Sequence, residues 1–193
     1  MKVIFIDLSG TIYTYHGNKE IVEKKIKTLG KICQILDTKV IISSALKEAI
    51  DEKTMKTDIE ELKQLFLLFK KYGIDCIGRT PTVRRKIHGN SCLPIPWKED
   101  EIRLCLYYNQ DIEAFCVLDN YDTKNWKKSD LEKVKDHLVT MQYYSENENE
   151  EGIQESHLEE IKKVLQKENK YRYWRKDGTK KIWWKISKNK NKL

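Results

Sequence analysis

The chain has no apolar run approaching the roughly 20 residues that a membrane-spanning helix needs, so no transmembrane segment is expected. Its first apolar run, residues 3–6, is too short for a secretory signal and leads straight into Asp7. The five cysteines (Cys33, Cys76, Cys92, Cys105 and Cys116) form no CxxC pair and have no histidine partner at zinc-ligand spacing. That excludes a zinc ribbon and a disulfide framework. Most of them sit in apolar segments, as buried reduced thiols of a cytoplasmic protein do. Proline is scarce, and all three prolines fall within residues 78–97. No internal repeat is present. What remains is a chain of 193 residues with 39% hydrophobic and 35% charged content. That balance suits one well-solvated domain with a real core, plus an appendage.

The formal net charge of +7 is unevenly placed. Residues 169–193 hold ten Lys or Arg and one acid, or +9; the other 168 residues hold 27 basic and 29 acidic groups, or −2. The basic character belongs to the tail, which points to an acidic partner there rather than along the whole chain.

What is present starts with the opening stretch MKVIFIDLSGT. Val3, Ile4, Phe5 and Ile6 read as a strand buried on both faces, as in a parallel sheet. The strand stops at Asp7, and a carboxylate at the carboxyl end of such a strand sits where α/β sheets place their chemistry. Gly10 allows a sharp turn there, and Thr11 supplies a hydroxyl.

From here helix and strand alternate. Residues 19–36 have the spacing of an amphipathic helix, with Gly30 as its one weak position. Residues 39–43 make a second buried strand, 57–72 a helix with Gly73 as C-cap, and 74–77 a third strand. Residues 98–108 follow as a helix with Ile102, Cys105 and Leu106 inward. A fourth strand at 114–118 runs into Asp119 and Asn120. A short helix at 129–136 capped by Ser129, a fifth strand at 137–142 and a helix at 154–166 complete the pattern. The acidic run 146–151 reads as a solvated loop. The alternation predicts an α/β fold, a Rossmann-like three-layer sandwich with a parallel five-stranded sheet. Residues 78–97 form a long irregular stretch containing Arg84, Arg85 and Lys86, the kind of loop that is usually functional.

Three strands end in polar residues: Asp7 and Ser9, then Ser43 and Ser44, then Asp119 and Asn120. In a right-handed parallel sheet these ends share one edge. Two carboxylates and a hydroxyl there suit a hard cation and a phosphate, since Mg²⁺ takes one or two carboxylates together with phosphate oxygens and water. An Asp carboxylate can also attack phosphorus to give an aspartyl-phosphate.

The segment Asp7-Leu8-Ser9-Gly10-Thr11 resembles the first motif of the haloacid dehalogenase (HAD) superfamily. Ser43 matches its hydroxyl-bearing second motif and Asp119-Asn120 its acidic fourth. In order, ISSAL, GIDCIGRTP, KEDEI and VLDN resemble the small HAD domains associated with RNA repair proteins, over about residues 1–165. The resemblance implies Asp7 as nucleophile and Mg²⁺ ligand, and Ser43 as a hydrogen-bond donor to the transferred phosphoryl group. It implies Asp119 as metal ligand, with Asn120 beside the metal or holding its water. For the cation of the third motif Lys98 is the best match, with Arg84, Arg85 and Lys86 as rivals. One position departs from the pattern: Ser9 stands where HAD phosphatases carry a second Asp as general acid and base. No cap insertion is present after the first strand, which implies an open site and a phosphorylated macromolecule, such as a nucleic acid, as substrate. Two readings therefore stand: a Mg²⁺-dependent phosphatase or phosphotransferase, and a HAD-like RNA- or ribosome-binding protein with weakened or lost catalysis.

The expected domain, residues 1–168, is followed by a tail at 169–193 in which Asp177-Gly178 signals a hairpin. Arg172, Trp174, Arg175, Lys180, Lys181 and Trp183 alternate cations with aromatic faces. That mixture suits RNA, with phosphates on the cations and bases on the rings. The alternative is a hairpin packing its Trp face on the domain.

Overall fold

The computed structural model describes residues 1–82, 98–120, 132–169 and 171. Its centre is β1 (Lys2–Ile6), whose four apolar residues are fully buried. β2 (Thr38–Ile42) and β4 (Ala114–Asp119) flank it, and β3 (Cys76–Arg79) and β5 (Leu138–Thr140) form the edges. The order is β3-β2-β1-β4-β5 and every pairing is parallel, with Ile6 opposite Ile42 on one side and Leu118 on the other.

Because side chains alternate along a strand, β1 feeds two cores. Ile4 and Ile6 join the larger one with α1 (Lys19–Leu36), α2 (Glu60–Lys71) and α4 (Leu158–Leu165). Val3 and Phe5 join the smaller one with α3 (Lys98–Tyr108), Val134 and Tyr171. Each fully buried side chain of this size contributes about 1.5–3 kcal/mol. The expected three-layer α/β sandwich with a parallel five-stranded sheet is what forms. Among the described residues no helix is long and apolar enough to cross a membrane.

α1 follows the sequence closely. Asn18 caps it by accepting from the Glu20 and Ile21 amides, both at 3.0 Å. Gly30, the weak position in its propensity, has a packing reason: a Cβ there would lie 2.5 Å from the Tyr72 carbonyl, so glycine lets the end of α2 approach.

Several boundaries differ. α2 starts at Glu60 because Thr57 pairs with Ile50 in an antiparallel bridge and Ile59 is extended. β3 starts at Cys76 because the Ile74 amide still donates to the Phe69 carbonyl at the end of α2. The described part of the expected helix at 129–136 is a 3₁₀ turn at Glu132–His137; residues 129–131, with the Ser129 cap, lie outside the described residues. His137 closes that turn, stacked on Phe115 with ring centroids 3.9 Å apart, and β5 begins one residue later. The last helix opens with a 3₁₀ turn at Glu155–His157. A 3₁₀ helix at Ala45–Ala49 was not foreseen. The acidic run is also not wholly solvated, since Glu151 is fully buried.

Cys33, Cys105 and Cys116 are buried free thiols, as expected, and Cys76 is half-buried; Cys92 lies outside the described residues. Burial pushes the Cys33 thiol up to about 11 and those of Cys76 and Cys105 up to about 12, so they stay protonated and inert. Asn169 and Tyr171 pack on the body: the Asn169 amide donates to the Ile112 carbonyl at 2.9 Å, and Tyr171 lies against Phe115.

Candidate active site

Each strand is stitched to its neighbour one residue past its end. The Asp7 amide donates to the Leu118 carbonyl (2.9 Å), the Ser43 amide to Ile6 (2.8 Å), the Thr80 amide to Ile42 (2.9 Å) and the Met141 amide to Asp119 (2.7 Å). The residues that leave the sheet are therefore fixed in a row along its carboxyl edge: Thr80, Ser43, Asp7, Asp119.

Lys98 joins the middle of this row. Its Nζ lies 3.0 Å from Asp7 Oδ2 and 2.5 Å from Asp119 Oδ2. Both carboxylates are buried, Asp7 at 8% exposure and Asp119 at 2%. Burial alone would lower the Lys98 pKa; the Asp119 and Asp7 carboxylates more than offset it and hold the ammonium above its ordinary value. Lys98 is thus a fixed positive charge at physiological pH. Its place at the first residue of α3 works against the helix dipole, and the ion pairs supply what the helix does not. The rivals Arg84, Arg85 and Lys86 lie outside the described residues.

The hydroxyls of Ser43, Thr80 and Thr11 are fully buried and have no hydrogen-bond partner among the described residues. A buried polar group left unmade costs about 1–3 kcal/mol. At Ser43 and Thr80, in the same row as two carboxylates, these hydroxyls are free to donate to an acceptor-rich ligand such as a phosphate. Ser44 is buried beside Ser43, whereas Ser9 is exposed.

The turn after Asp7 is shaped by Gly10, whose φ of +84° lies in the left-handed region. A Cβ at Gly10 would fall 2.3 Å from the Asn120 Cβ, so Asn120 packs directly over this glycine. That contact brings the Asp7 loop and the end of β4 together. Thr80 lies within the GIDCIGRTP stretch, where its hydroxyl carried no assigned role. It follows a short, half-exposed strand and looks like any loop threonine.

A segment at 143–153 clamps the loop that follows Asp7. Glu151 accepts from the His16 amide (3.1 Å) and the Ser145 amide (3.0 Å), and its Oε1 lies 2.7 Å from His16 Nδ1. The Ile153 amide donates to the Thr11 carbonyl at 3.0 Å. Beneath it the buried Lys25 donates to Thr14 Oγ1 at 2.5 Å. Burial alone would raise the Glu151 pKa, but the hydrogen bonds from Ser145 and His16 more than offset it and bring the carboxyl down to about 2. A lowered carboxyl pKa contributes stability above the unfolded value of about 4.3, and that stability is lost as pH falls toward 2. Glu151→Gln should therefore be less stable than the wild type at neutral pH, with the gap closing between about pH 4.3 and pH 2. Urea midpoints across that range read it, and parallel curves for the two proteins would contradict the account.

A second buried pair ties the hydroxyl side of the site to the lysine side. Lys47, in the 3₁₀ helix after Ser43-Ser44, lies 2.8 Å from Glu101 of α3, and both are 1% exposed. Nothing in the sequence marks them as a buried pair: Lys47 reads as ordinary helix surface, and Glu101 falls in the KEDEI stretch as a first-turn glutamate.

The donor set fits a hard divalent cation of the Mg²⁺ kind. Among the described residues no three His, Cys, Asp or Glu side chains gather around one point, but Mg²⁺ needs only one or two carboxylates, with phosphate and water completing its shell. A carboxylate offers about four lone-pair sites, so the Lys98 contacts through Oδ2 leave Asp7 and Asp119 with capacity for such an ion. The predicted RNA-binding residues Arg172, Trp174, Arg175, Lys180, Lys181 and Trp183 lie outside the described residues.

Comparisons with curated proteins and with solved structures each returned no match. A family model did match, described as the HAD domain in Swiss Army Knife RNA repair proteins, over residues 3–145. That span runs from β1 through β5 and takes in every member of the row at the carboxyl edge. The fold, the order of the strand ends and this match agree, and the chain belongs to the HAD domain family of Swiss Army Knife RNA repair proteins.

Proposed function

We propose that the protein is a Mg²⁺-dependent phosphatase or phosphotransferase acting on a nucleic-acid phosphate, with Asp7 as nucleophile. The observation that carries this reading is one ammonium, Lys98, held between two buried carboxylates at adjacent strand ends. Asp7 engages Lys98 through Oδ2, so Oδ1 is the oxygen that attacks phosphorus. The P–O bond to the leaving group breaks as the Asp7–phosphorus bond forms, and the leaving alkoxide takes its proton from water. A second water, or an acceptor hydroxyl, then attacks phosphorus and frees the Asp7 carboxylate. Ser43 donates its orphan hydroxyl to a phosphoryl oxygen, and Lys98 offsets the negative charge gathered between Asp7, Asp119 and the phosphate. Asp7 and Asp119, with Asn120 beside them, would hold the Mg²⁺, which supplies Lewis-acid stabilisation of phosphoryl charge when bound.

The nucleic-acid substrate is supported by the family description and by architecture. Twelve residues, 7–18, separate β1 from α1, too few for a covering domain. A site left open on that side suits a phosphate carried on a macromolecule.

Ser9 favours a second reading, a HAD-like RNA- or ribosome-binding protein with weak or lost turnover. A serine hydroxyl is too weak an acid to protonate a leaving group near neutral pH, and general acid–base help is typically worth about 10²–10⁴ in rate. Both readings meet one experiment, phosphate release from an aryl phosphate with Mg²⁺ and with excess chelator. The proposal expects slow, chelator-sensitive turnover, raised up to about 10²-fold by Ser9→Asp. Absence of turnover in both proteins would leave the binding reading standing.

A further inference from the structure

A concave surface of about 1220 Å³ opens between α1, the end of α2 and residues 149–157. Five exposed lysines line it, Lys24, Lys27, Lys31, Lys70 and Lys71, against Glu150 and Glu155, a net of +3. This stands on a body, residues 1–168, whose own net charge is −2.

Lys24, Lys27 and Lys31 fall at i, i+3 and i+7 and so share one face of α1. At a rise of 1.5 Å per residue the row is about 10 Å long. Like charges at this spacing disfavour a helix by a few tenths of a kcal/mol per pair, so helix formation does not account for the row. Neutralisation within the body is partial. Lys31 pairs with Glu155 (3.0 Å) and Lys71 with Glu23 (2.6 Å), while Lys24 donates to the Asn149 amide oxygen (3.3 Å). Among the described residues the ion pairs on this surface are those of Lys31 and Lys71, and neither Lys27 nor Lys70 takes part in one.

The lining argues against a protein partner. None of the exposed large apolar side chains of the described residues lies in this groove, whereas a protein interface needs an apolar centre. Several exposed ammoniums along a polar groove are instead what a polyanion backbone requires. The wall formed by residues 149–157 is also the segment that clamps the loop after Asp7, through Glu151 and Ile153. From there the groove runs along α1 to the end of α2, toward the amino edge of the sheet.

We propose that this groove binds the sugar–phosphate backbone of a single RNA strand. The proposal rests on the nucleic-acid part of the proposed function and not on turnover. The test is fluorescence anisotropy of a labelled single-stranded RNA with the full chain across a salt series. The comparison is wild type against Lys27→Gln/Lys70→Gln and against a control, Lys53→Gln/Lys56→Gln, whose lysines are exposed outside the groove. Losing two phosphate contacts should lower the slope of log K against log salt by about 1.4, at roughly 0.7 per contact on a single strand. Affinity at low salt should fall about tenfold, and the control should bind as the wild type does. A groove variant that binds like the control overturns the groove and leaves the nucleic-acid substrate standing. A wild type that does not bind RNA overturns both, while its aryl-phosphate turnover still reports on Asp7 chemistry.

Discussion

Asp7→Asn should lower Mg²⁺-dependent hydrolysis of an aryl phosphate by about 10⁴-fold or more, the scale seen when a covalent nucleophile is removed. An amide oxygen carries no charge to donate to phosphorus, so the loss falls on kcat, and KM should change little. The substitution is close to isosteric, and Lys98 keeps Asp119 at 2.5 Å, so the variant should fold and melt within a few degrees of the wild type. Acid-quenched samples should show a phosphorylated wild type and an unphosphorylated variant. The pH profile adds an independent check. Because Asp119 and Asp7 hold the Lys98 pKa above its ordinary value, no loss of activity below about pH 10 should trace to this lysine. Turnover in the variant equal to the wild type would remove Asp7 from the chemistry and leave the fold assignment untouched.

Why Asp7 was legible and Lys47 was not is a matter of what each residue's neighbours in sequence reveal. Asp7 ends a run of four apolar residues, and so does Asp119 after its own strand; a charge after a buried strand has few structural excuses. The strands were legible for the same reason, since burial on both faces leaves an unbroken apolar signature. Lys98 was identified only through the resemblance, because a lysine opening a helix has no periodicity to betray it. The ion pairs that fix it come from β1 and β4, many residues away. Glu151 was misread because an acid among acids looks solvated, and only the arriving amides of His16 and Ser145 make its burial tolerable. The edges of the sheet were least legible. β3 and β5 have four and three residues, and their limits are set by helix ends and a stacked His137 rather than by their own pattern.

The buried pair that the sequence hid should produce the largest change in stability. Glu101→Leu leaves the Lys47 ammonium 1% exposed with its carboxylate gone, and breaking a buried pair from one side costs about 3–5 kcal/mol. For a domain of this size that is on the order of a 10 °C fall in melting temperature. Replacing both partners, Glu101→Leu with Lys47→Met, removes the stranded charge and should recover most of the loss, because an apolar pair of similar volume is often neutral or better. Stability and function should then separate. The pair joins the 3₁₀ helix after Ser43 to the helix that begins at Lys98, so the double variant should melt near the wild type. If the pair also sets the distance between the hydroxyl and the ammonium, the double variant should keep a reduced kcat. Urea denaturation of the two single variants and the double variant closes the cycle. A single variant as stable as the wild type would show that Lys47 finds water or another acceptor. A double variant with wild-type kcat would confine the pair to holding the fold.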